Sequence, residues 1–255
     1  MKTIRIIDLS VPTEPSPSEP LPVEVIHEDH RQSVSVMKAF FGCSEADLPH
    51  RLGWAIDVVK MVAHAGTHVD APWHYAPISE GKRARTIDEM PLEWFYGDGV
   101  VLDMRHKTRG SGVTVDDLQS ALAKINYAIK PWDIVMIQTG ADKYWGKAEY
   151  FEAGCGMTKD STLWLIEQGV RVMGIDAWGW DRPFWAIREE FSRTGDNSVL
   201  WGAHYVGIDK EYCHIEKLAN LDKLPYPFGF KVACFPVKLA GGSAGWSRVV
   251  AIIED

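Results

Sequence analysis

Apolar and polar residues fall into short alternating blocks along the chain, each long enough for one strand or one helix. Residues 3–9 form a first apolar run broken by charge, the pattern of a strand. Pro12 to Pro22 carries five prolines among polar residues, which predicts a loop or extended edge segment. From Trp54 to Val62 the residues Ile56, Val58, Val59, Met61 and Val62 predict a β-rich segment, and Gly99 to Met104 a short buried strand. Thr114 is placed as an N-cap, with Asp116 and Asp117 in the first turn and Leu118, Leu122 and Ile125 at helical spacing. A strand at Asp133–Gln138 ends in Thr139 and Gly140. A helix at Lys159–Gln168, a strand at Arg171–Asp176 and a helix at Phe184–Ser192 follow. Phe230–Leu239 and Ser247–Glu254 read as strands flanking a turn at Gly241–Gly245. Strands alternating with a few helices, without repeats or an obvious linker, predict one α/β or α+β domain with a mixed sheet over residues 1–255.

Composition narrows the function class. The chain has 255 residues, 46% of them hydrophobic, enough for a sizeable core. Its net charge of −8, with lysine and arginine scattered, argues against nucleic acid and anionic membranes as partners and favours a small molecule in a pocket. Cys43, Cys155, Cys213 and Cys234 form no C-x-x-C pair, and no signal-peptide core or long apolar span is evident, so a cytoplasmic protein with free thiols is expected. Most of the 11 tryptophans are expected in packing roles. Trp73 is the first choice for contact with an aromatic substrate, because it sits inside the densest chemical motif.

That motif is His64-Ala-Gly-Thr-His68-Val-Asp70-Ala-Pro-Trp-His74. A single histidine is ordinarily a hydrogen-bonded core or surface group. Three histidines and an aspartate at this density suit Zn²⁺, Mn²⁺ or Fe²⁺ through nitrogen and carboxylate oxygen. Gly66, the β-branched Thr67 and Val69, and Pro72 oppose a helix, which places the motif on a strand end and a tight turn. His64, His68 and Asp70 can then converge on one ion, with Asp70 able to bridge to a second. A metal with an open position lowers the pKa of bound water from about 15.7 to roughly 7. His74, close by and not needed to complete three ligands, is the candidate proton shuttle.

The motif resembles the H-x-G-T-H-x-D-x-P-x-H signature of the cyclase-like metal hydrolases, a family that includes bacterial kynurenine formamidases and isatin hydrolases. Leu102-Asp103, Gly174-Ile175-Asp176 and the segment from His204 to Asn220 also look like landmarks of that family. The resemblance implies a swivelling β/β/α fold assembled as homodimers or homotetramers. It also implies that His204 and Glu216 complete the ligand set of His64, His68 and Asp70, and that His74 is the acid/base. Composition and spacing do not choose His204 over His214, or Glu216 over Glu211. The Trp178–Trp201 stretch is closer in length to the isatin hydrolase type, and the metal stays open between two Zn²⁺ and one Mn²⁺.

The leading expectation is hydrolysis of a C–N bond in a small cyclic or acylated amide. The alternatives are a lactone or ester substrate at the same site, or a metal-dependent binding protein without chemistry. A phosphate-loop reading of Gly241–Gly245 fails because no Gly-Lys-Ser/Thr follows. Asp176 is read as a satisfied strand-end aspartate.

Overall fold

The computed structural model describes residues 3–254. Its centre is a nine-stranded sheet in the order Ile4–Asp8, Val250–Glu254, Phe228–Ala233, Tyr96–Asp103, Ile134–Gln138, Val172–Ile175, Cys213–Glu216, His68–Asp70 and Ala244–Trp246. The four middle strands, Tyr96–Asp103 to Cys213–Glu216, are mutually parallel, and every pairing outside them is antiparallel. Parallel strands covered on both faces need apolar residues at every position. Ile134, Val135, Met136 and Ile137 meet that requirement, and the polar Gln138 that ends the strand is buried with them. Val135 and Ile137 enter one core with Leu118, Leu165 and Trp180, whereas Ile134 and Met136 enter the other with Phe95, Phe230 and Ile253.

The helices α1 (Val34–Phe41), α2 (Pro72–Tyr75), α3 (Val115–Lys124), α4 (Lys159–Glu167), α5 (Phe184–Thr194) and α6 (Gly202–Asp209) connect or flank the strands. Thr114 and Thr158 cap α3 and α4, their hydroxyls accepting the Asp117 and Ser161 amides, contacts typically worth about 1 kcal/mol each. α3, α4 and α5 thus begin where the sequence placed them. The strand expected over Phe230–Leu239 stops at Ala233 instead. Pro236 cannot donate to a ladder, and Val237 turns to donate its amide to the Trp246 carbonyl. The glycine-rich turn is shorter than expected, because Ala244–Trp246 is an edge strand against His68–Asp70. At Gly245 a β-carbon would come within 2.6 Å of the Val237 carbonyl oxygen.

Two features have no counterpart in the sequence reading: α6 and the Cys213–Glu216 strand. The β-rich segment expected over Trp54–Val62 forms the strand Ile56–Lys60, which pairs antiparallel with Glu24–Glu28 in a ribbon that, with α1, contributes no buried residue.

Candidate metal centre

The His68–Asp70 and Cys213–Glu216 strands run antiparallel, with His214 opposite Asp70 and Glu216 opposite His68. Between them Val69 and Ile215, also paired, point into the core. Side chains alternate across a sheet, so His68, Asp70, His214 and Glu216 all project from the opposite face. His64 enters from the turn before His68, His74 from the single turn of α2, and His204 from α6. Gly207 lets α6 approach, since a β-carbon there would lie 2.2 Å from the Tyr75 ring.

Asp70 is the hub. Its Oδ1 lies 2.8 Å from His64 Nδ1 and 3.2 Å from His68 Nε2, and its Oδ2 lies 3.1 Å from His214 Nε2, 3.5 Å from His74 Nε2 and 3.8 Å from His204 Nε2. Glu216 reaches His68, His204 and His214 at 3.5, 3.6 and 3.3 Å. The second ring nitrogen of most of these histidines is anchored. His64 Nε2 meets Ser243 Oγ at 3.0 Å, and His68 Nδ1 the Gly66 carbonyl at 2.8 Å. His204 Nδ1 meets Asp181 at 2.5 Å, and His214 Nδ1 the Tyr75 hydroxyl at 3.0 Å. Such outer partners orient metal-ligating imidazoles.

The inner atoms lack what the outer ones have. His68 Nε2, His214 Nε2 and both oxygens of Asp70 are buried and crowd one another without a well-directed hydrogen bond. Polar atoms buried in that state are costly. A divalent cation would satisfy them, and nitrogen and carboxylate oxygen donors suit such an ion. Asp70, His204, His214 and Glu216 form one compact donor group, and His64, Asp70 and His74 another, sharing Asp70.

Titration follows from this crowding. Burial opposes ionisation of Asp70, yet His74, His64 and His68 hold its carboxyl well below the usual range. Burial likewise opposes the charged form of His214, but its contacts with Asp70 and Glu216 lift it to about 9. His74 goes the other way. Burial, reinforced by His64 and His204, lowers it to about 4 despite the attraction of Asp70, so the His74 ring is neutral near pH 7, with an open nitrogen lone pair but less basicity than a free imidazole.

Above the cluster opens a cavity of about 260 Å³, walled by Phe151, Trp178, Phe184, Trp201, Leu21 and Val62, with His64, His74, His204 and Glu216 at its polar end. Trp201 holds a left-handed conformation (φ 56°), stacks on His204 at 4.1 Å between ring centres and meets His74 edge-on at 5.1 Å. Trp73 is not in this wall. It is 40% exposed on α2 and lines none of the cavity, because a one-turn helix that aims His74 inward carries its preceding neighbour outward. Trp178 and Trp201 take the place expected of it. Asp176 lies apart, accepting bonds from Thr139 and from the Gly140 amide, as a strand-end aspartate does. His214 is the functional candidate that the sequence did not single out. Its signal is the alternation His-x-Glu on one strand facing His-x-Asp on another, visible only when the register is known.

A family model described as "Putative cyclase" matches residues 7–182. The chain is 25% identical over 192 residues to a kynurenine formamidase of Erythrobacter litoralis, covering 75% of this chain and 74% of that protein. It is 26% identical over 203 residues to a kynurenine formamidase of Salinibacter ruber, covering 77% and 78%. Among solved structures, isatin hydrolase A from Ralstonia solanacearum superposes with a TM-score of 0.76 at 23% identity, over 98% of this chain and 92% of that one. An isatin hydrolase bound to the product analogue thioisatinate gives 0.75 at 21%, over 99% and 93%.

Proposed function

Because the chain belongs to the cyclase family, we propose that it is a metal-dependent hydrolase that cleaves a C–N bond in a small cyclic or acylated amide. The observation that carries this reading is the set of orphaned inner atoms of His68, Asp70 and His214 beneath an apolar cavity. His64, His68, Asp70, His204 and Glu216 are the ligands, and His214 joins them. A bound divalent cation supplies Lewis acidity towards the substrate carbonyl and makes water acidic enough to attack near neutral pH. His74 Nε2, neutral and at the cavity's polar end, takes the proton of the attacking water and returns it to the leaving nitrogen. Trp178, Trp201, Phe151 and Phe184 exclude solvent and provide flat faces for an aryl or bicyclic amide. A neutral base beside the cavity favours chemistry over simple metal binding.

The other features proposed here are coarser. Homodimers or homotetramers accord with the exposed Ile26 and Val58 of the ribbon, Phe40 and Phe41 of α1, and Trp54 just before the ribbon's second strand, since neighbouring exposed apolar groups often mark an interface. Cytoplasmic residence accords with four unpaired cysteines. Among the described residues no helix is long and apolar enough to cross a membrane.

The test is elemental analysis of protein purified without chelators or a histidine tag, sedimentation of the same preparation, and a panel of isatin, N-formylkynurenine and simple lactones. Stoichiometric zinc or manganese with metal-dependent opening of an amide is expected. Turnover of lactones alone would move the substrate class to esters. Protein that neither holds nor takes up metal would reject the hydrolase.

Metal binding should also be pH-dependent. His214 is protonated in the metal-free protein below about pH 9, and coordination requires the neutral ring. Each ion bound near pH 7 therefore displaces a proton, and affinity rises with pH until about 9. Calorimetric titration in buffers of different ionisation enthalpy reads this release. Heats independent of the buffer would show that His214 is not a ligand.

A further inference from the structure

Glu19 and Lys217 form an ion pair almost out of reach of solvent, with side chains 3% and 1% exposed. The ammonium donates to Glu19 Oε1 at 3.0 Å, to Glu19 Oε2 at 2.8 Å and to the His64 carbonyl at 2.6 Å, which occupies all three of its donors. Glu19 Oε1 also accepts the Gly66 amide at 2.7 Å. One ion pair thus grips the turn from His64 to Gly66 by a carbonyl and an amide. Gly66 needs that turn's left-handed backbone (φ 62°), and Lys217 adopts one too (φ 59°), an uncommon and costly state for a residue with a β-carbon. Lys217 directly follows Glu216. Its carbonyl accepts the Thr67 hydroxyl at 2.6 Å, and its ammonium lies 5.0 Å from the centre of the Trp178 ring in the cavity wall.

A buried ion pair adds little stability over a well-packed apolar pair, so a geometric role accounts better for its place here. The feature that needs holding is His64. His68 and Asp70 lie on a strand and His204 on a helix, but His64 stands in a turn, with a side chain 24% exposed against 0% for His68. We infer that Glu19 and Lys217 are a positioning pair that fixes His64 towards Asp70 and ties the proline-rich segment, which supplies Leu21, to the cavity wall. The inference rests on His64 being a ligand, as proposed above.

Removing one partner would leave a buried charge unpaired, so the informative variant is the double replacement Glu19→Leu with Lys217→Met. Two measurements are made on it and on the parent: hydrogen exchange of residues 62–67 in metal-free protein, and Zn²⁺ affinity by competition with a chelator. The expected result is exchange of that turn faster by about tenfold or more, no change in the Ile134–Gln138 strand, and Zn²⁺ affinity lower by about 10- to 100-fold, the usual cost of losing outer support. Parental exchange and parental affinity together would overturn the inference. Should the double variant not fold, Glu19→Gln with Lys217→Gln, which removes both charges together and keeps polar groups at both positions, is measured instead; a smaller increase in exchange is expected, and parental values reject the pair's role. A parent that takes up no Zn²⁺ or Mn²⁺ counts against the proposed function, and the exchange measurement then decides the positioning role alone.

Discussion

Replacing His74 with alanine is expected to leave metal content unchanged and to lower kcat by about 10²- to 10⁴-fold, the range ascribed to a positioned general base. The separation follows from where the residue sits. Asp70 Oδ2 is 3.5 Å from His74 Nε2 but 3.1 Å from His214 Nε2, and the His74 side chain is 25% exposed where that of His214 is fully buried. His74 faces the cavity, and Asp70, His204, His214 and Glu216 form a compact donor group without it. Its lowered pKa, about 4, keeps the ring deprotonated across the neutral range, so it is free to act as an acceptor, though as a weaker base than a free imidazole. Elemental analysis beside single-turnover kinetics distinguishes the roles. Near-parental turnover would remove His74 from the mechanism, whereas loss of metal would make it a ligand.

Asp70→Asn is expected to have the larger effect on binding. One buried carboxylate faces five imidazoles, those of His64, His68, His74, His204 and His214. The amide would remove the charge that draws a cation to this point and would present an N–H to groups that themselves lack acceptors. A fall in metal affinity beyond the roughly 10- to 100-fold typical of outer-shell losses is expected, with turnover at background. Chelator competition provides the reading. Parental affinity in this variant would mean that the ion, if one binds, lies elsewhere.

The parts legible in the sequence were those decided locally. The strand at Ile134–Gln138, the Thr114 and Thr158 caps and the break at Pro12–Pro22 follow from short-range pattern and backbone chemistry. The motif from His64 to His74 was evident from its density alone. His214 was not, because its role depends on which strand lies beside His68–Asp70, and that pairing joins segments distant in the chain. The Cys213–Glu216 strand is also short and half polar, so no apolar run announces it. Trp73 misled for a related reason. Membership of a motif says nothing about side-chain direction, and α2 turns adjacent residues to opposite sides.

The antiparallel register that unites these residues ties function to the order in which the chain is made. The histidine motif leaves a ribosome well before either strand that will flank it, since Cys213–Glu216 and Ala244–Trp246 both lie near the far end. Until those strands arrive, the motif has neither its sheet neighbours nor the donors His214 and Glu216. A slip of one residue in that pairing would turn His214 and Glu216 into the core and Ile215 into the cavity. Assembly of the centre therefore depends on pairings between segments made early and segments made later, and a bound ion would report that those pairings are in register.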